Sequence, residues 1–232
     1  MANRIKAWSF SRWNTYQKCP RQAFYRFIQR LPEPEAPPLV RGQRLHSDAE
    51  RFVKGELSDL PDELTLLADE LEDLRDRYAQ GEAVYPELGW AFNRKWVPVH
   101  EDLDKKEFNP QTWLRVKVDV LDHYADHTAR VIDHKTGKIR EEEHQKQLDL
   151  YAPAAFLKYP SLETVEAELW YLDQGEILSL DYHRSELPDL LARWERDTEA
   201  MLTDETFPPN PSYGCKYCPF SSKHGNGPCE VG

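Results

Sequence analysis

The segment Ile132-Asp133-His134-Lys135-Thr136-Gly137-Lys138 sets an acid and a lysine two residues apart. On a β-strand, residues at that spacing leave the same face. Upstream, Arg115-Val116-Lys117-Val118-Asp119-Val120-Leu121 alternates polar and apolar residues, which is strand spacing and sends Asp119 away from the valine face. If the two segments pair, two carboxylates and a lysine converge at one edge of a sheet. Carboxylates are hard oxygen ligands suited to Mg²⁺ or Mn²⁺. An ammonium beside them holds a water or stabilises charge on a phosphate. Taken alone, Asp-x-Lys also describes a surface ion pair. Downstream, Gln147 and Tyr151 are four apart, so they share the face of a helix that looks back at the strand ends. Gly42 and His46 have the same spacing on another expected helix; by itself, a helical histidine is more commonly a surface or satisfied core residue.

The second chemical signal is four cysteines, Cys19, Cys215, Cys218 and Cys229. The Cys-x-x-Cys spacing of Cys215 and Cys218 lets two thiolates reach one metal centre. A centre that also took Cys19 would pin the C-terminal tail to the first helices. The residues permit a four-cysteine zinc site or a [4Fe–4S] cluster, with disulfides and free thiols as the remaining readings. His224 is a substitute ligand that four cysteines make unnecessary.

The elements that must position these groups are legible from periodicity. Residues 11–30 read as two short helices, with Ser11 as a cap for the first and Pro20 in the first turn of the second. Residues 31–39, with four prolines, read as a loop, and helical character returns from Val40 to about Lys54. Over 61–78, Leu64, Leu67, Leu71, Leu74 and Tyr78 form an apolar stripe opposite a solvated acidic face. Strands are expected at 84–92, 115–121 and 129–135, and two more over 165–183 joined by a turn at Gln174-Gly175. Glu87, on the first of these, reads as an outer acid of the site or as a plain strand-edge carboxylate. Pro153 lies just beyond Tyr151, where its missing N–H predicts a kink. Residues 185–202 form a helix with Leu187, Leu190, Leu191, Trp194 and Met201 inward; the tail beyond is too rich in Pro and Gly for regular structure and needs another restraint. The pattern is α/β with a helical N-terminal elaboration.

Composition sets outer bounds. The chain has 232 residues, 40% hydrophobic and 31% charged, with seven Trp and eleven Tyr, which fits a folded domain and not a disordered chain. No apolar run approaches the ~18 residues that span a bilayer, and the N-terminus has no uninterrupted apolar segment of signal-peptide type. The net charge of −11 argues against a nonspecific nucleic-acid binder. Yet residues 1–30 carry seven basic side chains and no acid, a basic lip able to grip phosphates. Trp8, Trp13, Tyr16 and Tyr25 in that segment offer base-stacking surfaces, with half of them core on a more conservative reading.

Taken in order, Ser9-x-Ser11, Tyr16-x-x-Cys19-Pro20, Gly42-x-x-x-His46, Asp119, Asp133-x-Lys135-Thr136-Gly137, Gln147-x-x-x-Tyr151 and Cys215-x-x-Cys218-Pro219 resemble the RecB-type branch of the PD-(D/E)xK nuclease superfamily. Each motif is weak and their order is specific. That branch includes CRISPR-associated RecB-type exonucleases, AddB-type helicase-nuclease domains and phage exonucleases. Val116 stands where the family often has glycine, and no proline precedes Asp119, but no metal-binding or lysine position is missing.

The resemblance implies an α/β, restriction-endonuclease-like core, a short mixed sheet flanked by helices, within a single nuclease domain over 1–232. Its parts would be a mainly helical 1–82, a sheet and catalytic core over 83–183, and a helix and cysteine tail over 184–232. It implies a metal-dependent DNA exonuclease that hydrolyses phosphodiester bonds of single-stranded DNA or DNA ends in replication, recombination, repair or phage DNA metabolism. His46, Asp119, Asp133 and the backbone carbonyl of His134 would hold Mg²⁺ or Mn²⁺; Lys135 would orient the attacking water, with Gln147 and Tyr151 positioning Lys135 or the DNA. Among the readings of the cysteines it favours a [4Fe–4S] cluster on Cys19, Cys215, Cys218 and Cys229 over zinc. DNA, single-stranded or with free ends, would be the partner, no membrane would be, and the setting would be the cytoplasm of a prokaryote, for a prokaryotic protein or a viral one in a prokaryotic host. Two rival readings stand beside it: an end-trimming nuclease of CRISPR spacer acquisition, and a non-catalytic iron–sulfur DNA-binding module.

Overall fold

The computed structural model describes residues 4–34, 36–100, 109–223 and 227–231. The backbone divides into two compact units, one of residues 36–191 and one of residues 1–35 with 192–232. Helix α6 (Leu187–Thr203) runs from the first into the second.

Residues 36–191 form an α/β unit around a six-stranded mixed sheet, ordered β2-β1-β3-β4-β5-β6. The strands are β1 (Val84–Phe92), β2 (Pro98–Val99), β3 (Leu114–Ala125), β4 (Thr128–Lys135), β5 (Thr164–Tyr171) and β6 (Glu176–His183). Neighbours are antiparallel except β4 and β5, which run parallel and are joined by helix α5 (Glu141–Lys158). That crossover is the connection a parallel pair requires.

The expected strands are present, and β3 and β4 extend further than expected, leaving a shorter turn. Helix α3 (Pro37–Val53) starts inside the segment read as a loop, because Pro37 and Pro38 fit the first helical turn. The stripe over 61–78 is split between a 3₁₀ turn, Asp62–Leu67, and helix α4 (Ala68–Ala79). Leu64, Leu67, Leu71 and Leu74 are buried there with Leu45, Phe52, Val120, Ile132 and Trp170, while Tyr78 is exposed. Pro153 lies inside α5 without ending it, since that part of the helix is buried among its neighbours.

In the other unit, helix α1 (Phe10–Lys18) is capped by Ser9, whose Oγ accepts from the Arg12 N–H, and Ser11 lies within the helix instead of capping it. Helix α2 (Pro20–Ala23) and a π turn over Phe24–Ile28 follow. Trp8, Trp13, Tyr16 and Tyr25 are all core, at most 9% exposed, and not stacking surfaces, so burial goes beyond the half expected. Trp8 and Trp13 pack on Trp194 of α6 with ring centroids 5.5 and 5.1 Å apart. The tail also has apolar anchors of its own. Phe207 packs against Tyr16 and Phe24, and Phe220 against Tyr25. His224 lies outside the described residues.

Candidate active site at the split of the sheet

The β3–β4 ladder runs in register only as far as Val120 opposite Ile132. Beyond it β3 stays paired with β1 and β4 stays paired with β5, so the strands part at Asp119 and Asp133. Polar side chains fill the split. One oxygen of Asp119 accepts the His134 backbone N–H at 2.6 Å, taking the place of the missing ladder bond. The other lies 3.0 Å from Nδ1 of His46 on α3.

Asp133 meets α5. Its Oδ1 accepts from the Tyr151 hydroxyl at 2.5 Å and from Nε2 of Gln147 at 3.1 Å. The Lys135 ammonium pairs with Asp133 and donates to Oε1 of Gln147 at 2.7 Å. Gln147 and Tyr151 also bond each other, as their spacing of four allows. All the residues singled out from the sequence for catalysis thus gather on either side of the split.

The electrostatics follow from burial and pairing. Burial opposes charge on Asp119, but His46 and His134 outweigh it and hold the carboxyl below the usual range. Burial also opposes charge on His46, yet Asp119 raises its pKa on balance. Burial lowers the pKa of His134. Burial, then Asp133, raises Tyr151 well above its ordinary value, keeping it a neutral donor.

Several buried polar atoms are left over. Both ring nitrogens of His134 have no hydrogen-bond partner, while Oδ2 of Asp133 meets only the Lys135 ammonium. Buried polar groups are ordinarily satisfied, so such orphans call for an explanation. One ligand atom each from His46, Asp119 and His134 lie within 4.8 Å of one another. A donor set of carboxylates with imidazole nitrogen fits a divalent cation, and the nitrogen suits Mn²⁺ better than Mg²⁺. The His134 imidazole is a candidate the sequence did not offer, since strand alternation points it away from Asp133.

The loop after Lys135 is fixed by neighbours. A Cβ on Gly42 would lie 3.0 Å from Thr136 Oγ1, so the glycine lets α3 approach this loop. Gly137 has φ +83°, a conformation that favours glycine. Its N–H donates to Asp173, which also receives a bidentate bond from Arg41. Glu87, with φ +54°, pairs with Lys117 and lines the same cavity of about 620 Å³ as His46 and Asp119. His144, one turn before Gln147, sits 3.1 Å from the Tyr171 hydroxyl, its pKa lowered by burial and by Lys135.

The model of the PD-(D/E)XK nuclease superfamily matches residues 7–222. The chain belongs to the PD-(D/E)XK nuclease superfamily. No curated protein matched. Among solved structures, a candidate exonuclease from Eubacterium rectale is similar at 12% identity and a TM-score of 0.50, over 92% of this chain and 87% of the other. A second, SSO0001, is similar at 16% identity and a TM-score of 0.46, over 100% of this chain and 89% of the other. At 12% identity the first likeness concerns the fold alone, which here is the α/β core with flanking helices expected of the superfamily. None of the described helices is long and apolar enough to cross a membrane.

The four cysteines line one cavity of about 450 Å³ within residues 17–25 and 209–231. None is in a disulfide. Burial raises the Cys218 pKa, and the nearness of Cys19, Cys229 and Cys215 adds to the rise. The sulfurs form no group of three within 4.8 Å among the described residues.

Proposed function

We propose that this member of the superfamily is a metal-dependent DNA exonuclease of the RecB-type branch, acting on single-stranded DNA or DNA ends. The observation that carries the reading is the split between β3 and β4, where Asp119, Asp133, Lys135 and His46 gather. The motif order from Ser9 to Cys218 supports the branch. His46, Asp119 and Asp133 would hold the Mg²⁺ or Mn²⁺, with His134 beside them. The bound cation supplies polarisation of the scissile phosphate and a more acidic water.

The chain's own groups do the rest. Lys135 orients the water and neutralises charge that builds on the phosphate oxygens. Gln147 ties the Lys135 ammonium to Asp133, and the neutral Tyr151 hydroxyl holds Oδ1 of Asp133, so that Oδ2 faces the ammonium and would be shared with the cation. Asp173 and Arg41 keep the Thr136–Gly137 turn in place behind the lysine.

Cys19, Cys215, Cys218 and Cys229 are assigned to a structural [4Fe–4S] cluster. Their common cavity supports one shared centre, and the likeness of one early and three late cysteines to the iron–sulfur members of the branch favours the cluster over zinc. The test is digestion of end-labelled single- and double-stranded DNA by anaerobically purified protein with Mg²⁺, Mn²⁺ or EDTA. Metal-dependent shortening from the ends is expected. Absence of any metal-dependent cleavage would sink the catalytic reading. Colourless protein with zinc and no iron would replace the cluster and leave the nuclease assignment intact.

A further inference from the structure

Tyr213 and Tyr217 are 75% and 72% exposed, more than any other large hydrophobic side chain among the described residues. They sit on one 3₁₀ turn, Tyr213–Tyr217, that carries Cys215 between them. Their ring centroids are 5.8 Å apart and their hydroxyls 3.3 Å apart. The Lys216 ammonium stands 5.8 Å from the centroid of the Tyr213 ring. The turn is fixed by its own backbone. Ser212 Oγ accepts from Gly214, the Ser212 carbonyl accepts from Cys215, and the Cys215 carbonyl accepts from Cys218. Two aromatic faces and a cation are therefore held toward water by a turn that does not depend on them for its shape.

Charge distribution indicates what covers these rings. Residues 36–191 carry 19 basic and 33 acidic side chains, a net −14. Residues 1–35 with 192–232 carry 11 basic and 8 acidic ones, a net +3. A polyanion is favoured on the second set, which holds the tyrosines; Lys18 and Arg21 line the cysteine cavity together with Tyr217. Unpaired bases stack on exposed aromatic rings, while the bases of a duplex are already stacked on one another.

We propose that Tyr213 and Tyr217, with Lys216, form a stacking platform for single-stranded DNA on the cysteine-bearing turn. This rests on the nuclease reading for the choice of DNA over other polyanions. The bases lie on the two rings and Lys216 meets a phosphate.

The experiment is fluorescence anisotropy of a labelled oligothymidylate with the full-length, anaerobically purified protein in EDTA. A duplex of equal length is run beside it. The double variant Tyr213→Ala/Tyr217→Ala is expected to bind the single strand about tenfold more weakly or worse, and the duplex unchanged. Tyr213→Phe/Tyr217→Phe, which keeps both rings, is expected to bind as the wild type does. Lys216→Ala is expected to reduce the slope of log affinity against log salt by about 0.7. If the double alanine variant loses iron or its tail protection, Tyr213→Ala alone replaces it, because Tyr213 does not line the cysteine cavity; a several-fold loss is then expected.

Unchanged single-strand binding by the alanine variants overturns the platform, and so does a wild type that binds no single strand; a partner protein would then be the occupant to seek. Cleavage with Mn²⁺ is scored separately. A wild type that cleaves DNA while the alanine variants bind normally removes the platform and keeps the nuclease. One that binds through the tyrosines and cleaves nothing does the reverse.

Discussion

Within residues 36–191, the candidate catalytic side chains hold one another. Asp133 is fixed by Tyr151 and Gln147, Lys135 by Gln147 and Asp133, and Asp119 by His46 and a backbone N–H. Around the four cysteines the support is thinner. Cys19 and Cys215 each receive one backbone N–H at 3.4 Å, from Asn210 and Ser212, and the tail is anchored by Phe207 and Phe220, by the Asn210 amide on the Lys18 carbonyl and by Asp204 on Tyr16. In one site the side chains hold one another; the other has a cavity whose walls a bound centre would tie together. A preorganised site can place charges for a transition state, whereas a centre that joins distant segments contributes its binding energy to folding.

The largest expected effect tests the first half of that contrast. Asp133→Asn and Lys135→Ala should each slow Mn²⁺-dependent DNA cleavage by ~10²-fold or more. Circular dichroism and thermal unfolding should remain close to wild type for Lys135→Ala, which loses a single charged end. Near-normal cleavage by either variant would remove these residues from the site.

The second half is broken or sharpened by Cys19→Ser. Iron should be lost and limited proteolysis should cut between residues 208 and 231, while the sheet of residues 36–191 stays protected. A tail that remains resistant would mean Phe207 and Phe220 suffice, and that both regions are self-supporting. Conversely, stripping the divalent cation with EDTA should leave protection of residues 36–191 unchanged.

His46→Ala should raise the Mn²⁺ concentration needed for half-maximal cleavage by roughly tenfold, with activity partly recovered at saturating Mn²⁺. A metal titration of cleavage rate separates this from a folding defect. A smaller change is expected for Asp173→Asn, which weakens the tie from Arg41 to the Gly137 turn. Exposed ion pairs contribute about 0.2–1 kcal/mol, so cleavage should fall no more than about fivefold.

The smallest effect concerns Asp204, in the cysteine-bearing unit. Burial opposes its charge, but N–H groups of Phe207 and Thr206 and the Tyr16 hydroxyl outweigh it and lower its pKa. Burial and that same bond push Tyr16 up to about 12. A depressed carboxylate stabilises the fold above its ordinary titration range, and the gain is lost as pH falls through the folded-state pKa. Asp204→Asn should therefore be less stable than wild type at neutral pH in urea unfolding, with the gap closing in acid. An equal gap at both pH values would assign the effect to hydrogen-bond geometry instead of charge.

Much of the site was legible because its signals are local. Val116, Val118 and Val120 alternate with polar residues and are all buried, and Asp133 and Lys135 share a strand face. Gln147 and Tyr151 meet because a helix brings residues four apart together, and buried Pro153 leaves that helix whole. The helix start at Pro37, the cap at Ser9 and the two-residue strand β2 were not read, since each is decided by one or two residues within a permissive context.

The sequence by itself determined the strand and helix periods, the pairing of Asp133 with Lys135 and the order of the motifs, all properties of short stretches of chain. Only the tertiary structure decided where the β3–β4 ladder ends. That point turns the His134 imidazole into a ligand candidate and brings His46 to Asp119. It also decided which aromatics are covered: Trp8 and Trp13 lie against Trp194, and Tyr213 and Tyr217 face water. Periodicity reports which face a residue leaves; what meets that face depends on segments distant in the chain, and no local pattern encodes that meeting.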